Sequence, residues 1–177
     1  MRQALRGFTL YELLMTVVLV AVLVSVGVPG FSAVLARNRQ VVEINSLSHA
    51  IHLARKESIV HRRVVTLCPS ADGRDCLATT DWSAGWIVFR NADRDVPAAV
   101  DPGETIILTH AVADRIRISS NRRSYSLRST LKRATNGTLV VCDARGRVAP
   151  RALVVSFTGR PRVAVERRDG RPYSCAD

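Results

Sequence analysis

The chain has 177 residues, of which 47% are apolar and 23% charged, a balance that excludes a disordered polyelectrolyte and allows one small domain with its own core. The formal net charge is +11, and it is uneven: residues 1–109 carry 11 basic against 10 acidic groups, residues 110–177 carry 15 against 5. Such asymmetry points to a polyanionic partner or an anionic surface, while the 5% aromatic content argues against extensive base stacking.

The chain opens with a short basic segment, Met1 to Gly7, carrying Arg2 and Arg6. From Phe8 to Val28 the only charge is Glu12. As a helix this stretch is roughly 31 Å long, close to the thickness of a bilayer core. A carboxylate inside such a span is costly and is by default functional, with a partner to be named. A secretory signal peptide would place its small cleavage residue after the apolar run, whereas Gly7 precedes it. The junction Gly7-Phe-Thr-Leu-Tyr-Glu12 resembles the N-terminus of a type IV prepilin. The resemblance implies cleavage between Gly7 and Phe8 by a prepilin peptidase and N-methylation of Phe8. It also implies pairing of Glu12 with the N-terminal amine of a neighbouring subunit, which gives the buried carboxylate an opposite charge. Tyr11 departs from the aliphatic residue usual there and leaves the cut and the carboxylate untouched. Arg2 and Arg6 keep the N-terminus in the cytoplasm.

Pro29 and Gly30 close the apolar segment and are expected to bend the helix. Beyond them Val34, Val41, Ile44, Leu47, Ile51 and Ala54 recur at spacings of three, four or seven, while Arg37, Arg39, Glu43, Asn45 and Arg55 take other faces. One long helix from Phe8 to about Ser58 is expected, its second half covering one face of a globular domain. After His61 the period becomes strand-like: Val64–Cys68, Trp86–Phe89, Thr105–Thr109, Arg115–Ser119, Ser124–Leu127, Thr138–Cys142, Leu153–Phe157 and Arg162–Glu166. Turn pairs Asp72-Gly73, Pro102-Gly103, Asn136-Gly137 and Asp169-Gly170 punctuate them. The fold class is α+β, a long helix packed on antiparallel sheet. The expected organisation is a leader (1–7), a transmembrane or filament-core helix (8–29), its amphipathic continuation (30–60) and a β-rich domain (61–177).

Four cysteines, an even number in a domain delivered outside the cytoplasm, favour disulfides. Of three possible pairings we favour Cys68–Cys76, closing a short loop, and Cys142–Cys175, tying down the C-terminal tail. No Cys-x-x-Cys pair supports a zinc site.

The second sharp feature is Val154-Val-Ser-Phe-Thr-Gly159-Arg160-Pro161-Arg162. An apolar strand ending at Phe157 is followed by Gly159, which permits a tight turn, and by Pro161, which fixes the backbone between two arginines. Guanidinium matches phosphate oxygens bidentately. Arg167, Arg168 and Arg171 follow, and Arg122, Arg123, Lys132 and Arg133 join the patch if the sheet brings them near. By pattern the chain resembles the GspH/FimT group of pilins over most of its length. The matching segments are the N-terminal junction, Leu53-Ala-Arg-Lys-Glu-Ser58, Val65-Thr-Leu-Cys68, Trp82-Ser-Ala-Gly-Trp-Ile-Val-Phe89, Cys142-Asp143 and Thr158-Gly-Arg-Pro-Arg162. In the FimT branch a Gly-Arg-x-Arg motif is associated with DNA binding during natural transformation. The resemblance thus implies a type IV pilin fold, and implies DNA contact by Arg160 and Arg162, with Gly159 and Pro161 shaping the turn.

His49 and His52 share a helix face but lack a third ligand, so no metal or cofactor is expected. Trp82 and Trp86 read as packing residues. No nucleophile motif or Gly-rich phosphate loop is present, and a non-enzyme is expected. The expected partners are other pilins through the helix, prepilin peptidase and double-stranded DNA. The protein would sit in the inner membrane with its domain in the periplasm, and at the cell surface once assembled in a pilus. The alternative is an H-type pseudopilin with a structural role in type II secretion.

Overall fold

A computed structural model describes residues 8–129 and 133–175, with the backbone alone at Val28 and Pro29. The leader Met1–Gly7, including the Gly7 side of the junction, and Lys132 lie outside the described residues. One helix, α1 (Leu10–Val60), precedes eight strands: β1 (Val64–Pro69), β2 (Gly85–Asn91), β3 (Ile106–Ala111), β4 (Ile116–Ser120), β5 (Tyr125–Leu127), β6 (Gly137–Asp143), β7 (Arg151–Val155) and β8 (Pro161–Ala164). The helical assignment continues without interruption through Pro29 and Gly30. The chain divides into two compact units, Met1–Leu35 and Ala36–Asp177.

In the first unit the apolar residues are exposed, from Phe8 and Leu10 to Val26 and Phe31, and the helix is long and apolar enough to cross a membrane. Its start is capped locally. Glu12 Oε2 accepts hydrogen bonds from Thr9 N and Thr9 Oγ1, both at 3.0 Å, and Glu12 N donates to Thr9 Oγ1 at 3.3 Å. This is a reciprocal capping box, legible in the spacing Thr9-x-x-Glu12.

The second unit packs the rest of α1 on two four-stranded antiparallel sheets, ordered β3-β2-β1-β5 and β4-β6-β7-β8. Ile44, Leu47, Ile51 and Ala54 are buried as the helical period predicts, against Val65, Leu67 and Val88 of the first sheet and Leu139, Val141, Leu153 and Val155 of the second. Trp82 and Trp86 are core residues, and Trp82 meets Tyr125 edge-to-face at 5.7 Å. Glu43 departs from the expected polar face: it is 2% exposed. Burial is tolerated because Ala113 N and His110 Nε2 each donate to its carboxylate at 2.9 Å. Gln40, also buried, donates through Nε2 to Val141 O and Ala149 O at 2.9 Å. These two polar side chains fix the helix's register, one toward each sheet.

Both disulfides, Cys68–Cys76 and Cys142–Cys175, are present. The second pins the tail to the outer face of β6, where Tyr173 packs on Val140, Cys142 and Ala152. At the C-terminal end of β6, Asp143 is clamped by Arg147, whose Nε and Nη2 each donate to the carboxylate at 3.2 Å. The hydrogen bond from the Arg147 side chain holds the Asp143 carboxyl below its usual range. A depressed carboxylate contributes stability above the unfolded-state value, about pH 4, and loses it as pH falls through the folded value. Arg147→Met is therefore expected to lower the unfolding temperature at pH 7, with the gap from wild type closing as the pH is taken below about 4. Parallel thermal denaturation curves at several pH values check this.

Candidate nucleic-acid interface

The second sheet sets up the site through its register. Ser120 pairs with Leu139, Gly137 with Val155, and Val155 with Pro161. The C-terminal end of β4, the N-terminal end of β6 and the β7–β8 hairpin therefore lie at one end of the sheet. Arg122 and Arg123 follow β4, Arg133 precedes β6, and Arg160 and Arg162 flank the first residue of β8. Three strand spacings make this edge roughly 14 Å wide.

The hairpin is a hydrogen-bonded turn. Gly159 N donates to Ser156 O (2.8 Å), Ser156 N to Arg160 O (3.0 Å) and Arg160 N to Ser156 Oγ (3.1 Å). The expected strand through Phe157 instead ends at Val155, because Ser156 is already the first residue of the turn. Phe157 is exposed at its tip, with the Arg133 guanidinium 5.6 Å from the ring centroid. Gly159 has φ 71°, and a Cβ there would lie 2.7 Å from Leu127 Cδ1 and 3.9 Å from Arg55 Cδ. Only glycine fits both the left-handed backbone and the close approach. Gly159→Ala is expected to cost roughly 1–3 kcal/mol and to displace both arginines. A lowered unfolding temperature together with weaker DNA binding would register it.

Arg160 and Arg162 are exposed, and among the described residues neither guanidinium makes a hydrogen bond or an ion pair. Arg162 pairs with Val154 on the edge strand β8, so its side chain stands on the outer face of the sheet. Arg122 Nε donates to Asn136 O at 3.0 Å, a neutral acceptor that leaves its charge uncompensated. Arg123 is exposed beside it. Arg171 is brought to the tail but matched by Asp169, with Nη2 at 2.6 Å. Arg167 stacks on Tyr173, its guanidinium 5.7 Å from the ring centroid. Arg167 and Arg168 line a groove of about 350 Å³ on the outer face with Ser119, Ser120, Asn121, Thr138 and Tyr173. Arg55, behind the turn, is an additional cation that no sequence pattern singles out. At the opposite end of the sheet the Arg147 charge is matched by Asp143 (3.2 Å). Arg115, Arg117, Arg145 and Arg151 near that same end make no ion pair among the described residues, so what distinguishes the hairpin end is the turn that presents Arg160 and Arg162.

Residues 43–159 match the family model described as type II transport protein GspH. Two crystal structures of the type IV minor pilin FimU from Pseudomonas aeruginosa PAO1, in different crystal forms, are similar to the chain. One is 19% identical and covers 78% of this chain and 96% of the pilin, with a TM-score of 0.54. The other is 18% identical and covers 75% and 96%, with a TM-score of 0.52. No curated protein matches in sequence. The helix, the two antiparallel sheets and the family match agree: the chain belongs to the GspH family and has the type IV pilin fold.

Proposed function

We propose that this chain is a minor type IV pilin that presents a basic sheet end to double-stranded DNA for uptake in natural transformation. It is cleaved between Gly7 and Phe8, methylated on Phe8, held in the inner membrane by its N-terminal helix with the domain in the periplasm, and assembled through Glu12 into a surface pilus. The observation that carries the DNA reading is the β7–β8 hairpin. A rigid turn holds Arg160 and Arg162 in solvent with no carboxylate on either among the described residues, and Arg122, Arg123 and Arg133 flank them along an edge about 14 Å wide. That span is comparable to the roughly 12 Å major groove, so arginines at its two ends reach phosphates on both sides of the groove. Phosphate contacts carry no base information, so binding is electrostatic and nearly independent of sequence.

A gel-shift of the detergent-solubilised full chain against two unrelated duplexes tests this. Equal shifts that weaken together with added salt support the proposal; no shift at low salt defeats it. The family model's own description favours a second reading, an H-type pseudopilin with a structural role in type II secretion. Loss of secretion without loss of transformation in a deletion strain would favour that reading.

A further inference from the structure

We propose that the second unit carries, at the end where α1 enters it, a basic face that rests on anionic phospholipid headgroups. This builds on the membrane-anchored reading above and adds a second surface, distinct from the hairpin. Gln40 Nε2 donates to Val141 O and Ala149 O, so the β6–β7 connection lies beside the first turns of α1 in this unit. Ala144 N donates to Arg115 O at 2.8 Å and Ile116 pairs with Asp143, which brings the β3–β4 connection alongside. Arg37 and Arg39 of α1 therefore gather with Arg115, Arg145 and Arg151.

Arg37, Arg115 and Arg145 are exposed, Arg39 and Arg151 partly so, and none makes an ion pair among the described residues. The nearest carboxylates are already engaged: Asp143 by Arg147, and buried Glu43 by Ala113 N and His110. Asp114, exposed beside Arg115, is the carboxylate that remains on this side among the described residues. Arg117 shares a cleft with Asp81 on the outer face of the sheet and is not counted with the five. The matching end of the first sheet is different, because the Cys68–Cys76 loop there sets Asp72 and Asp75 around Arg74. The basic face thus belongs to the second sheet's side.

Position selects lipid among polyanions. Arg37 follows Val28, the last residue of the apolar run, by nine residues, and the helical assignment spans both. At 1.5 Å per residue that is roughly 14 Å. The apolar run fills a bilayer core, and the headgroup layer adds about 5–8 Å on that side. Arg37 then lies within about one Debye length of the headgroups, roughly 8 Å at physiological salt. Basic groups beside a membrane helix are drawn to anionic headgroups over that range, and guanidinium suits lipid phosphate. A bilayer tethered to the same chain is also present at high effective concentration, unlike a polyanion in solution. Because the five arginines come from the helix and two separate connections, their attraction orients the unit. The hairpin end lies elsewhere: a Cβ on Gly159 would meet Arg55, fifteen residues beyond Gln40 and roughly 22 Å along α1. Lipid at one end leaves Arg160 and Arg162 to DNA at the other.

The full chain is reconstituted in nanodiscs of phosphatidylcholine, alone or with about 30% phosphatidylglycerol, and treated with phenylglyoxal. Mass spectrometry then reads the modification of each arginine. In the anionic discs Arg37, Arg115 and Arg145 should be modified at least about threefold more slowly, with Arg160 and Arg162 unchanged. About 0.5 M NaCl should abolish the difference. Equal modification in the two lipids overturns the proposal and leaves the membrane anchor standing, whereas a chain that does not enter discs defeats both. Equal protection of Arg160 and Arg162 overturns it as well, since no face is then selected. Protection that follows the number of chains per disc, and not the anionic lipid, overturns it in favour of a second pilin.

Discussion

The Arg160→Ala/Arg162→Ala protein is expected to bind duplex DNA at least about tenfold more weakly than wild type, by the same factor on unrelated sequences. The two guanidiniums are exposed, have no competing carboxylate and sit on a turn whose hydrogen bonds come from the backbone and Ser156, so their removal leaves the hairpin intact. The variant should therefore unfold within about 1 °C of wild type, since exposed side chains away from packing contribute little stability. Quantitative gel-shift with thermal denaturation of the same preparations separates the outcomes. Weaker binding with unchanged stability assigns the contact to these side chains; unchanged binding moves the interface elsewhere.

Removing the Cys142–Cys175 bridge by Cys142→Ser/Cys175→Ser is expected to have the largest effect on stability. The bridge spans 33 residues of sequence, against 8 for Cys68–Cys76. Loop closure of that length stabilises by roughly 3–4 kcal/mol, which corresponds to a fall in unfolding temperature of roughly 10–14 °C for a unit of this size. Without the bridge Tyr173 also loses the tether that holds it on Val140 and Ala152, and the groove holding Arg167 and Arg168 opens. The Ser156–Gly159 turn does not depend on the tail. DNA affinity should accordingly fall less than in the double arginine variant. A loss of binding equal to or greater than that of the arginine variant would place the main contact on the tail.

Local chemistry made much of this architecture readable from the chain. The periodicity of Ile44, Leu47, Ile51 and Ala54 identified the buried helix face, and all eight strands fall near the β-rich runs. Boundaries shifted where a turn outweighed strand propensity, as at Ser156 and Phe157, whose apolar ring sits in solvent under Arg133. Glu43 was misplaced on the polar face because its acceptors are satisfied by Ala113 and His110, about seventy residues away, and no local pattern encodes that partnership. The division into two sheets and the gathering of Arg122, Arg133 and Arg160 at one end depend on long-range strand order, which is likewise non-local.

Glu12 is set in a capping box with Thr9. The proposed function assigns assembly to this carboxylate and contact with polyanion to the hairpin end of the second sheet. The most direct measurement is the salt dependence of DNA affinity for the full chain, wild type against Arg160→Ala/Arg162→Ala. Each phosphate neutralised contributes about −0.9 to the slope of log K against log salt, so the variant's slope should be shallower by about 2. Equal slopes for the two proteins would contradict the assignment of phosphate contact to these arginines.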